Sequence, residues 1–175
     1  VQAEDVNAPT VRAAISRLEE RALASGRMHE PITVDVNDEG TVANITVPIW
    51  EELVDSRTIE LTANNNAPST WFWLDLRQGP LVLEVPPKVL GLIDDMWYRW
   101  NTDLGITGPD QGAGGKYLLL PPGYKGDVPK GYFVFRSATF GNLFFWRGFL
   151  VNGDPKPAVE NTKKFAKVYP LAMAK

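Results

Sequence analysis

The sequence predicts a mainly β protein, an antiparallel β-sandwich or barrel with an N-terminal helix and a short C-terminal helix at its margins. Three observations carry that expectation. Short runs that alternate apolar and polar residues, rich in Val, Ile, Thr, Phe and Trp, recur from Ile32 to Val151. Turn residues interrupt them often: fifteen glycines and fourteen prolines, well above the roughly 12% that the two make up in average chains. The 175 residues, 44% hydrophobic and 22% charged, suit a single domain over 1–175, large enough to bury about 70% of its unfolded surface without a metal or disulfide staple.

The first expected element is a helix in NAPTVRAAISRLEERALASG. Asn7 can cap it, Pro9 falls in its first turn, Val11, Ile15, Leu18 and Ala22 form an apolar stripe, and Gly26 stops it. The segments ITVDV and TVANITVPIW flank the turn-like NDEG and read as a hairpin, followed by a short strand RTIELT. In the loop after it, Asn64, Asn65 and Asn66 can hold a turn through side-chain-to-backbone hydrogen bonds. STWFWLDL and LVLEV flank RQGP as a second hairpin, with Gly79 and Pro80 at the bend. The stretch KVLGLIDDMWYRWNTDLG has the length of a helix, but Val89, Gly91 and the aromatic density favour one long strand with a bulge. GPDQGAGGK reads as a flexible loop entering an apolar strand. FVFRSATFGNLFFWRGFLV reads as two strands bent near Phe140 and Gly141, and KPAVENTKKFAKVYPL as a final helix stopped by Pro170.

Composition excludes several kinds of chemistry. With no cysteine, thiol nucleophiles, disulfides, thiolate zinc sites and iron–sulfur clusters are out. A histidine-based triad or metal site would rest on the single histidine, His29, which falls in a loop. A net charge of −3 with no basic run argues against nucleic-acid binding. No apolar stretch approaches the ~20 residues of a transmembrane helix. No cofactor and no metal site is expected. The chain begins at Val1, as a processed mature chain or a fragment would.

The glycines before Lys116 do not make a phosphate loop: Asp110 stands where the first glycine belongs and Tyr117 where Ser or Thr belongs. Asp94, Asp95 and the nearby Asp103 are the carboxylates that acid–base chemistry or calcium would use. On a strand, Asp94 and Asp95 point to opposite faces, which rules out a dyad of those two. One of them meeting Arg99, or an arginine from another strand, in a structural ion pair is the plainer reading. Among the aromatic residues, Trp71 and Trp73 share a strand face, while Trp97 and Trp100 lie on opposite faces of a regular strand unless a bulge intervenes. With Trp146 they can serve the core, an interface, or a groove for a flat ligand. Lys116, Tyr124 and Lys125 could hold an anion or be ordinary surface.

LTANNNAPSTWFWLDLRQGPLVLEVPP, LIDDMW and GAGGKYLLLPPGYKGDVPKGYFVFRS closely resemble the bacterial domain-of-unknown-function 1254 family, over about residues 47–171. The resemblance implies exported bacterial proteins with jelly-roll-type sandwiches, usually followed by a partner domain of unknown function 1214. It also implies a periplasmic or secreted location. The family pattern NND-T-P-Y is replaced here by Asn66, Ala67 and Ser69, so a role resting on that acid or tyrosine does not carry over. Residues 1–46, a helix plus hairpin, diverge from the family, and the chain resembles a stand-alone or truncated version.

Two functional readings follow. In the first, the protein is a non-catalytic subunit that assembles with itself or other chains through its aromatic strands, and changing Trp146 or Trp97 dissociates it. In the second, it is a small-ligand or carbohydrate-type binder, or a hydrolase. That reading uses a groove near Asp94 or Asp95, Arg99, Trp97 and Tyr124, with carboxylates as the reactive groups.

Overall fold

The computed structural model describes residues 64–174 throughout, together with residues 32–34, 45–47 and 53. The expected N-terminal helix, His29 and the RTIELT strand lie outside these described residues. Strands β1 (Ile32–Val34) and β2 (Ile45–Val47) pair antiparallel, Ile32 opposite Val47, in keeping with the expected pairing of ITVDV with TVANITVPIW.

The remaining strands are β3 (Ser69–Asp75), β4 (Leu81–Val85), β5 (Leu90–Asp95), β6 (Trp100–Gly105), β7 (Gly115–Leu120), β8 (Phe133–Arg136), β9 (Gly141–Arg147) and β10 (Lys167–Pro170). They form two four-stranded sheets. The first runs β3-β9-β5-β6 and the second β10-β4-β7-β8. Burial alternates along β3, β5 and β9, the period-two signature of a sheet with one face inward. Phe72, Leu74, Ile93, Leu104, Phe144 and Trp146 of the first sheet share one core with Leu81, Leu83, Val85, Tyr117, Leu119 and Val168 of the second. Each such side chain contributes roughly 1.5–3 kcal/mol by leaving water.

Four sequence expectations are corrected. STWFWLDL and LVLEV do not form a hairpin: β3 pairs with β9, and β4 pairs with β7 and β10. Leu76, fully buried between them, donates its N–H to the Phe140 carbonyl at 2.8 Å and accepts from Gly79 N–H at 3.1 Å. The turn therefore plugs the core with a leucine and carries the chain from one sheet to the other. KVLGLIDDMWYRWNTDLG is not one strand but the pair β5–β6. The expected bulge is present at Ile93/Asp94, and the chain reverses just beyond it. The pairing is not wholly antiparallel, because β7 and β8 run parallel, joined by the long connection 121–132. Finally, helix α1 (Lys156–Phe165) ends before Pro170, and KVYP becomes strand β10. Lys163 and Lys164 in the last turn of α1 suit its dipole, while Ala158, Val159 and Thr162 face inward.

The loop 106–114 is not loose, as its glycines suggest. The buried Asp110 carboxylate accepts from Gly105 N–H at 2.8 Å, Gly114 N–H at 2.9 Å and the Tyr117 hydroxyl. Those contacts tie three points of the loop together. Burial, together with this carboxylate, pushes the Tyr117 hydroxyl far above its usual range, so it stays a donor. The asparagine loop behaves as expected: Asn66 N–H donates to Asn64 Oδ1 at 2.8 Å.

Candidate functional site

The outward face of the first sheet carries the aromatic residues. Antiparallel register places Trp73 opposite Leu143, Leu143 opposite Asp94, and Asp94 opposite Trp100. The next row across the same face is Trp71, Phe145, Leu92 and Asp103. The bulge in β5–β6 matters here. It turns Trp100 to the same side as Asp103, whose Oδ1 accepts the indole N–H of Trp100 at 2.9 Å. Trp73 is 48% exposed and Trp100 67%, standing on the outer strands of this face with Leu143 and Asp94 between them.

The β5–β6 turn, residues 96–99, closes one end of that face. Its organiser is Asp95, 1% exposed. Asp95 Oδ1 accepts from the backbone N–H of Trp97 at 2.8 Å and of Arg99 at 3.0 Å. Asp95 Oδ2 accepts Arg99 Nε at 2.7 Å and lies 2.7 Å from Nη2. Burial alone would push this carboxyl up; the Arg99 and Trp97 amides and the Arg99 guanidinium outweigh it and hold it below the usual carboxylate range. Tyr98, at the turn, has φ +55, a left-handed conformation that a bulky residue adopts only where its surroundings enforce it. The result is a fixed turn presenting Trp97 at 73% and Tyr98 at 69% exposure. The Tyr98 ring stands edge-on to Trp73, centroids 6.4 Å apart at 68°. Met96 packs at Gly141, where a Cβ would lie 2.7 Å from Met96 Cγ, and its N–H donates to Thr139 Oγ1 at 3.0 Å.

Asp94, next in sequence to Asp95, has the opposite surroundings. Its side chain points outward, and no hydrogen bond or ion pair reaches its carboxylate among the described residues. Partial burial first, then the charges of Asp95 and Asp103, raise its pKa. Adjacent aspartates on opposite strand faces thus part company, one compensated inside and one uncompensated outside.

Other residues singled out in the sequence lie elsewhere. Trp146 is 1% exposed and stacked edge-on against Phe144 in the core, centroids 4.2 Å apart. It cannot serve as the interface residue expected of it, because removing it would empty the core. Among the described residues its indole N–H has no hydrogen-bond partner. Trp71 is half-buried on the aromatic face. Tyr124 does not join Asp94 in a groove: it packs on Val82, Leu118 and Leu120, on the outer side of the second sheet. Lys116 lies on that same outer side, 3.6 Å from Glu84, and Gly114 N–H is taken by Asp110. Sequence reasoning missed Tyr98 as part of the site. The signal was an aromatic residue three positions after an aspartate in what proved to be a tight turn. Among the described residues, no three His, Asp or Glu side chains converge as a metal site, and no helix is long and apolar enough to cross a membrane.

Residues 45–170 match the profile of a family described as protein of unknown function (DUF1254). No curated protein matches the sequence. In fold, the chain is similar to the VPA0106 protein from Vibrio parahaemolyticus, a structural-genomics target solved by crystallography. The TM-score is 0.54 at 20% identity, over 63% of this chain and 29% of that one. The likeness is one of fold, and the matched region spans less than a third of that protein's length.

Proposed function

We propose, for a chain that belongs to the DUF1254 family, that it is a non-catalytic interaction subunit whose aromatic sheet face and β5–β6 turn dock onto another protein chain, a second copy of itself first of all. The observation that carries this reading is the turn held by Asp95. A buried carboxylate that fixes two backbone amides and an arginine pre-organises Trp97 and Tyr98 in solvent. Large, rigid, exposed aromatic side chains are the residues that concentrate binding energy at interfaces. The exported, periplasmic location and the jelly-roll arrangement belong to this proposal on the strength of the family resemblance alone.

Native mass spectrometry beside sedimentation equilibrium tests the reading. An oligomer at micromolar concentration that becomes a folded monomer in Trp97→Ser supports it. A wild-type monomer overturns it.

A second reading is favoured by Asp94. An outward carboxylate without a partner, between exposed Trp73 and Trp100, suits a small ligand better than a protein surface. Here the aromatic face is a ligand groove. Hydrolysis would need a second carboxyl at a defined separation on that face; Asp103 and Asp75 both share it, Asp75 paired with Arg77.

A further inference from the structure

The corner of the aromatic face between Trp73, Tyr98 and Trp100 combines two features, exposed aromatic rings and uncompensated carboxylates. Three exposed aromatic side chains border it: Trp73 and Tyr98 stand edge-on at 68°, and the Trp100 indole is tied to Asp103 by its hydrogen bond. Strand spacing of about 4.8 Å puts the Trp73 and Trp100 backbones roughly 14 Å apart across β9 and β5, wide enough for a small molecule between the rings. The floor is Leu143 and the unpartnered Asp94.

Among the described residues, the charges around the corner are not balanced. Arg99 is engaged by Asp95, and Arg77 by Asp75, Nε to Oδ2 at 2.9 Å. Arg147, two rows away on β9, lies over the Phe145 ring at 5.8 Å. Asp94 and Asp103 therefore leave the corner negative. π-Faces and uncompensated carboxylates attract the same kind of guest.

We infer that this corner is a binding site for a small organic cation carrying an alkylated ammonium group, caged by Trp73, Tyr98 and Trp100 and neutralised by Asp94 and Asp103. A neutral sugar would use the rings but gain nothing from the charge. A hydrated metal ion would use the carboxylates but not the rings. The inference rests on reading this face as a binding surface, and it names the ligand chemistry for the groove.

The test is a titration of the ¹⁵N-labelled protein with tetramethylammonium and with choline, following the indole N–H resonances. The neutral isostere 3,3-dimethylbutan-1-ol and sodium chloride at equal ionic strength serve as controls. Saturable shifts of Trp73 and Trp100, with buried Trp146 unmoved, are expected. Affinity is expected to fall about tenfold for the neutral isostere and for Asp94→Asn. Trp100→Leu, at an exposed position, is a second variant expected to weaken binding by a similar factor should Asp94→Asn not fold. The same titration of Trp97→Ser prevents a self-association interface from hiding the corner. No saturable shift in either protein, or equal binding of the neutral isostere, overturns the inference. If wild-type chains nevertheless associate through Trp97, only the cation site falls; if they do not, the interaction reading falls with it.

Discussion

The outward faces of the two sheets solve the same problem in opposite ways. On the second sheet, the apolar residues Val82, Leu118 and Leu120 are fully buried beneath Tyr124, Tyr132, Tyr169, Leu171 and Ala174. Its one outward acid beside them, Glu84, is met by Lys116 and Lys167, each at 3.6 Å, and by the Tyr169 hydroxyl at 2.8 Å. Burial and Glu84 together push the Tyr169 hydroxyl well above its usual range, which keeps it a donor. On the first sheet, Trp73, Tyr98 and Trp100 stand in solvent beside the unpartnered Asp94. A face whose charges are compensated and whose apolar residues are covered has finished its folding; a face that leaves both undone is the one the proposed binding role draws on.

The sharpest break of this comparison is at Asp95, which makes the bare face rigid. Asp95→Ala removes a buried acceptor of two amides and an arginine, and is expected to cost about 3 kcal/mol in chemical denaturation. Because the folded carboxyl titrates below its unfolded value, its contribution is complete above the unfolded pKa of about 3.9 and is lost as pH falls through the folded one. An unfolding free energy unchanged in Asp95→Ala would mean that the turn is held by other contacts.

Glu84→Gln probes the covered face. It keeps a Tyr169 partner but discharges two half-exposed lysine pairs, so a loss of about 1 kcal/mol or less is expected, shrinking with salt. A loss as large as that of Asp95→Ala would place the outward network among the main supports of the fold.

The smallest effect is expected at Asp94, and its sign is reversed. The folded pKa is raised, so ionisation disfavours the folded state once pH rises above the unfolded pKa. Asp94→Asn is accordingly expected to stabilise the protein at neutral pH by a few tenths of a kcal/mol, since solvent screens most of the repulsion. Destabilisation instead would show that the ionised carboxylate has a partner in the folded chain.

Much of this was legible one strand at a time. The alternation in STWFWLD put Trp71 and Trp73 on one face and Phe72 on the other, as the structure has them. Asp94 and Asp95 were separable for the same reason, and an arginine partner for one of them was foreseeable from Arg99, four residues on. The run LVLEV was less informative, because covering tyrosines bury both of its faces and erase the period. For Trp97 and Trp100 the alternation left the faces open, because a single bulge and a reversal decide which way they point.

What the sequence determined by itself was local: which segments make strands, which face each strand turns inward, and which chemistries the absence of cysteine excludes. Tertiary structure alone decided that β3 and β4 belong to different sheets, that Trp146 is core while Trp97 is surface, and that Tyr98 reaches Trp73. Pleat and propensity act between neighbours along the chain. Sheet membership and exposure depend on pairings between distant segments, where a one-residue shift in register exchanges inside for outside.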